Sequence, residues 1–172
     1  MARPGTIPYA EALDAIQAVK RWPKGLRFDW KTQSSKKFPA PYSFRAPLSI
    51  NPDQSSFADD WFVDCSFKKS IIVGVNDSLS ISLVVNNARI IGVDDNGPSR
   101  HINKVGSGMP YYQKTIGHPH LHRPVEEASY GYAEPLEAAT VQSLWELFLK
   151  EAHITEAPRI ELPDFGQMGF SL

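Results

Sequence analysis

The densest chemistry in this chain is histidine. Four of its five histidines fall between His101 and His122, three of them in His118-Pro119-His120-Leu121-His122. Side chains at alternate positions of a strand share a face. His120 and His122 therefore project together, joined by His118 where the strand runs regularly across Pro119. Two adjacent imidazoles are the nucleus of a metal site, which His101 or a carboxylate would complete. Zinc and the harder transition metals both accept such donors. The ligand set read from the sequence is His120, His122 and His101 around a divalent ion. The same side chains also support metal-free chemistry. Imidazole titrates near neutral pH, so His101 with His120 or His122 makes a general acid–base pair for cleaving an RNA phosphodiester. Arg89, Arg100, Lys104 or Arg123 would then hold the phosphate, and Asn103 would orient a ring or donate to an oxyanion. The plain alternative is a set of histidines on a polar sheet surface that satisfy loop carbonyls. His153, alone near a helix end where a cation suits the helix dipole, is read that way.

Strands and two helices must position these residues. Tyr9, Ala12, Leu13, Ile16 and Val19 recur at helical spacing, with Thr6 as the expected cap, Pro8 in the first turn and Trp22-Pro23-Lys24-Gly25 as the stop. That pattern predicts an amphipathic helix of about four turns. Leu26–Trp30 alternates like a strand, and Tyr42–Ile50 and Trp61–Phe67 read as two more. Leu79, Ile81, Leu83 and Val85 alternate with serines, and Asn86-Asn87 is a tight turn because Asn tolerates positive φ. Residues 70–94 are thus expected to form a three-stranded meander, with Asn76-Asp77 as its first turn. Residues 99–117 read as a long loop, and such loops are commonly functional. His118–Val125 and Tyr130–Pro135 follow as short strands. Val141, Leu144, Trp145, Phe148, Leu149 and Ala152 predict a second amphipathic helix, capped by Thr140. The expected fold class is α+β: a curved antiparallel sheet of about six to seven strands packed by an N-terminal and a C-terminal helix. Residues 1–154 form the single domain and 155–172 an extended tail, whose Phe165, Met168 and Phe170 would dock on the domain or on a partner.

Composition narrows the setting. The one cysteine, Cys65, excludes an intramolecular disulfide and a thiolate metal cage, and is read as a buried core residue. No apolar run is long enough for a membrane helix and the first residues lack a signal-peptide core, so a cytoplasmic location is expected. Eight basic side chains lie within residues 20–45 against Asp29 alone, while residues 124–172 are acidic. That separation suits an anionic partner, RNA among them, at the basic end. The interleaved Phe28, Trp30, Phe38, Tyr42 and Phe44 would stack bases, or line an ordinary core.

Known histidine motifs fit only in part. The histidine-triad hydrolase pattern fails at Pro119 and in the preceding chain. His120-x-His122 with Glu126 is similar to a first cupin motif, though the glycine spacing departs from it. The two H-x-T/S motifs of 2H phosphoesterases, a phosphate-cradling glycine loop and a nucleophile elbow are absent. Residues 88–154 resemble an uncharacterised family of small bacterial and mobile-element proteins. The likeness is carried by Arg89…Asp94, Gly97-Pro98, His101-x-Asn103…Gly106, Pro119-His120-x-His122, Tyr132-Ala133-x-Pro135-Leu136 and the helix through Ile154. The chain departs from that pattern at Pro124, where the family has Tyr, and in a longer spacer between the histidine groups. The resemblance implies that His101, Asn103, His120 and His122 belong together, and implies a toxin-like or defence-related setting, with no assigned activity.

Three functions are therefore expected in order. The first is a His-dependent nuclease or phosphodiesterase acting on RNA, with His101, Asn103, His120 and His122 as its catalytic group. The second is a non-catalytic protein-binding inhibitor or regulatory partner. The third is a metal-dependent enzyme acting on a small molecule.

Overall fold

The computed structural model describes residues 5–32, 40–50, 60–97, 100–137 and 139–163. Along the chain run α1 (Tyr9–Gln17), β1 (Lys20–Arg21), β2 (Lys31–Thr32), β3 (Tyr42–Pro47), β4 (Trp61–Lys68), β5 (Ser78–Val85) and β6 (Ala88–Asp95). They are followed by β7 (His101–Ile102), β8 (Thr115–Ile116), β9 (His120–Val125), β10 (Ala128–Pro135), α2 (Val141–Glu151) and β11 (Ile154–Thr155). Seven strands form one antiparallel sheet in the order β10-β9-β6-β5-β4-β3-β2. With the two helices, the architecture is mostly β and broadly α+β. Among the described residues no helix is long and apolar enough to cross a membrane.

The serine–aliphatic alternation of β5 divides the sheet into two faces. Leu79, Ile81, Leu83 and Val85 are buried in one core cluster with Val63, Cys65, Phe67, Ile91, Val93 and Leu121. Ala12 and Ala15 of α1, and Leu144, Trp145 and Phe148 of α2, belong to the same cluster. Ser80 and Ser82 take the opposite face. The turn at Asn86 and Asn87 forms with φ of 50° and 62°, the paired positive values that a two-residue hairpin requires. Thr140 caps α2 by accepting from Ser143 N at 3.1 Å.

Several expectations need correction. The meander is β4-β5-β6 rather than residues 70–94. Residues 70–75 form no strand, because Ile71, Ile72, Val73 and Val75 stay exposed beside a turn closed by Val75 N donating to Ile72 O. Leu26–Trp30 is not a strand either. It wraps its rings into an aromatic cluster in which Phe28 lies 4.9 Å from Phe44 and 5.6 Å from Trp22. Helix α1 is shorter than predicted and begins at Pro8 without a side-chain cap, so Thr6 does not serve as one. Val19 falls beyond its end and is exposed. Lys20 is buried instead, its ammonium donating to the carbonyls of Ala15, Ile16 and Ala18, the unpaired acceptors of the helix C-terminus. Residues 99–117 are not wholly loop, since β7 and β8 pair across them.

Beyond α2, β11 pairs in parallel with β1, and Trp145 Nε1 donates to Pro158 O. Ala157 and Ile160 pack against the core. Phe165, Met168 and Phe170 lie outside the described residues, as do Lys36, Lys37 and Phe38 of the basic stretch. Of the remaining rings in that stretch, Phe44 is buried and Phe28, Trp30 and Tyr42 pack against the core.

Candidate metal centre

Strand register assembles the site. Gly92 lies opposite His122 and Asp94 opposite His120, while Ser80 lies opposite Asp94 on the other side. Directly opposed residues of an antiparallel pair share a face. Asp94, His120, His122 and Ser80 therefore emerge together on the polar face. Arg89 joins them through a β-bulge. Val84 pairs with Arg89 but Leu83 pairs with Ile91, leaving Ile90 as an extra residue in β6. In a regular strand, residues five apart point to opposite faces. The extra residue puts Arg89 on the face of Asp94. Gly92 between them leaves the guanidinium room, since a Cβ there would lie 2.4 Å from Arg89 Nη2.

Three donor atoms converge. His122 Nε2 lies 3.1 Å from His120 Nε2 and 3.0 Å from Asp94 Oδ2, and His120 Nε2 lies 3.7 Å from the same oxygen. A triangle with those edges has a circumradius of about 1.9 Å. That is close to the usual length of about 2.0–2.2 Å from zinc to His nitrogen or carboxylate oxygen, so these three residues could hold one divalent ion. The donors are thus already spaced as three corners of a coordination shell. Asp94, His120 and His122 form the one group of three potential ligands among the described residues.

The surroundings orient the donors. His120 Nδ1 lies 2.8 Å from Gly117 O, so Nδ1 carries the proton and Nε2 presents a lone pair inward, the usual arrangement behind a ligating imidazole. The other carboxylate oxygen, Asp94 Oδ1, accepts from Ser80 Oγ at 2.6 Å and Arg89 Nη2 at 2.7 Å. Arg89 Nη1 also donates to Tyr130 OH at 2.6 Å, and the Tyr130 ring stacks on His122 with centroids 4.6 Å apart. His122 Nδ1 is buried with no hydrogen-bond partner.

Electrostatics keep the donors in their ligating forms. Burial alone would raise the Asp94 carboxyl, but its close contacts with His120 and His122 and the Arg89 guanidinium outweigh it and hold the group far below the usual carboxylate range. Burial pushes the His122 imidazole down to about 4 against the pull of Asp94, so it is neutral at neutral pH. Arg89 and Asp94 cancel each other, and a divalent ion would keep nearly its whole charge.

The donors form the floor of a cleft of about 740 Å³. His101 and His118 also line it, the His118 ring stacked on His120 at 4.7 Å and the His101 ring edge-on to His122 at 4.7 Å. His101 is not one of the converging trio. Its Nε2 lies 2.9 Å from both Asn103 Oδ1 and Gly131 O, two acceptors, so that nitrogen carries the proton and faces the loop. Asp94 takes the place that the sequence reading gave to His101. Asn103 is fully buried. Its Nδ2 donates to Tyr111 O and Ala133 O, and its Oδ1 accepts from Ala133 N and His101. It positions His101 and cannot reach a substrate.

Of the expected phosphate ligands, Arg89 is held by Asp94 and Tyr130, and Arg123 by Glu134 at 3.0 Å and Glu151 at 2.9 Å. Lys104 is exposed away from the cleft lining, and Arg100 is exposed on it. His153 is exposed at the end of α2, and Cys65 is buried in the core, where burial raises its thiol pKa. Sequence reasoning missed Asp94, Ser80 and Tyr130 as site residues. For Asp94 the one signal was its place beside Arg89 in the same strand, in the Arg89…Asp94 pairing of the resemblance above. Comparison of the chain with family models, curated proteins and solved structures returns no significant match.

Proposed function

We propose that the chain is a mononuclear metal-dependent enzyme of hydrolytic type, with Asp94, His120 and His122 as its three ligands. The observation that carries this reading is the convergence of two Nε2 atoms and one carboxylate oxygen within 3.7 Å of one another at the floor of a cleft. Three protein ligands with the remaining positions open is the pattern of a catalytic rather than a structural site. A divalent ion held there would polarise a carbonyl or phosphoryl oxygen and activate water near neutral pH. Arg89, which donates to Oδ1 at 2.7 Å and more weakly to Oδ2 at 3.3 Å, and Ser80 would fix the carboxylate with Oδ2 turned to the ion, and Gly117 O would fix the His120 tautomer. Arg100 at the rim would receive a negatively charged substrate.

Metal-free cleavage of RNA by paired histidines has less support. That reading pairs His101 with His120 or His122, and an acid and a base must each reach a substrate atom, whereas His101 Nε2 is already engaged by Asn103 Oδ1 and Gly131 O at 2.9 Å. The test is to load the full chain with Co2+ or Zn2+. About one equivalent should bind with submicromolar affinity, the Co2+ form should absorb in the visible, and hydrolysis of 4-nitrophenyl esters or phosphates should appear on loading and vanish on chelation. Asp94→Asn and His122→Ala, verified as folded by circular dichroism, should each weaken metal binding at least about tenfold. A folded wild-type protein that takes up neither ion at micromolar concentration would sink the proposal. So would equal binding by both variants.

A further inference from the structure

We infer that the occupant of this cleft is a small amphiphilic oxyanion, with its carboxylate or phosphate head at the metal and an aliphatic tail along the 70–75 loop; the inference rests on the metal reading above. Two features carry it. The first is the apolar wall. Ile71, Ile72 and Val75 line the cleft that holds Asp94, His120 and His122, yet they are 66%, 63% and 54% exposed. Apolar side chains grouped at the mouth of a polar site gain free energy only when something apolar covers them. The second is charge. Asp94 is already paired with Arg89 at 2.7 Å, so an ion placed beside it would present a net positive centre. Arg100 and Lys68 on the cleft lining carry the same sign. An anion is drawn to the floor, while the wall rejects a polyanion, because extended phosphates laid against Ile71 and Ile72 would lose water without a partner.

The cleft volume of about 740 Å³ suits a ligand of drug-like size. A tail of four to six carbons reaching from floor to rim would cover the exposed isoleucines. Lys69 is tied to Asp77 at 3.4 Å, and Asp77 Oδ1 accepts from Ser70 N at 2.8 Å, so both ends of the loop are fastened and the wall is preformed.

The experiment is calorimetric titration of the Zn2+-loaded full chain with acetate, butyrate and hexanoate, and in parallel with methyl, butyl and hexyl phosphate. Affinity should rise about fourfold for each added methylene, and the stronger series identifies the head group. Ile71→Ser and Ile72→Ser, both at exposed positions, should weaken hexanoate about tenfold and leave acetate unchanged. Arg100→Gln should weaken every chain length alike. Hexanoate binding no more tightly than acetate to metal-loaded protein would overturn the inference while leaving the metal site intact. Failure to take up Zn2+ at all would instead overturn the site, and this inference with it.

Discussion

Replacing Asn103 tests how the histidine loop is held. Its amide makes four side-chain hydrogen bonds, at 2.7, 2.8, 2.9 and 2.9 Å, with His101, Tyr111 and both backbone groups of Ala133. The two bonds to Ala133 are buried, and the other two are partly buried. Asn103→Ala strands the Ala133 N–H and C=O at about 1–3 kcal/mol each, and water can replace the remaining pair at about 1 kcal/mol or less each. The expected loss is about 2–8 kcal/mol, a large share of the 5–15 kcal/mol typical of a domain. That corresponds to a fall in Tm on the order of 10 °C or more. Asn103→Asp sharpens the test. The carboxylate keeps both acceptor roles but loses both donors, and faces the carbonyls of Tyr111 and Ala133 at 2.9 and 2.8 Å. At pH 7 it should be at least as destabilising as alanine, and it should recover in part in acid, where a protonated carboxyl donates one bond. Urea unfolding followed by the fluorescence of the buried Trp22 and Trp145 reads both variants. A loss below about 1 kcal/mol for Asn103→Ala, or an aspartate variant as stable as wild type at pH 7, would refute this account.

Other consequences are open to measurement. Arg89→Gln leaves Asp94 without its guanidinium and should cost about 3 kcal/mol in metal-free protein; added Zn2+ should restore more stability to this variant than to wild type. Gly92→Ala forces the Arg89 guanidinium off Asp94 and should cost about 1–3 kcal/mol by chemical denaturation. Thr140→Ala removes the α2 cap and should cost about 1 kcal/mol. Lys20 gives a pH dependence. Burial lowers its folded-state pKa from 10.5 to about 8, so between those values the unfolded chain holds the extra proton. Stability should therefore rise as pH passes from 8 toward 10.5 and be lost again as it falls back through 8. A Lys20→Met variant should lack that slope in its urea midpoints.

Much of this was legible in the residues. The alternation through Val85, the Asn86-Asn87 turn and the periodicity of α2 all appear where the sequence puts them, because each is a local rule that tertiary packing reinforces. The apolar run Ile71–Val75 misled, since hydrophobicity marks a strand only when a neighbour covers it, and among the described residues none does. Val19 and Lys20 exchanged roles because α1 ends early and its free carbonyls draw the lysine inward. His120 and His122 announced themselves by spacing. Asp94 did not, because five residues from Arg89 implies opposite faces, and the bulge that reverses this at Ile90 leaves no mark in composition.

The two faces of the central strands carry separate tasks. Odd-numbered positions such as Ile81, Leu83, Val93 and Leu121 hold the core, while even-numbered Ser80, Asp94, His120 and His122 form the candidate site. A substitution on one set leaves the other nearly untouched, so stability and specificity can drift independently along the same backbone. For an engineer the polar face is a replaceable panel: donor identity can be rewritten at positions 80, 94, 120 and 122 while the hydrophobic layer beneath continues to specify the strand pairing.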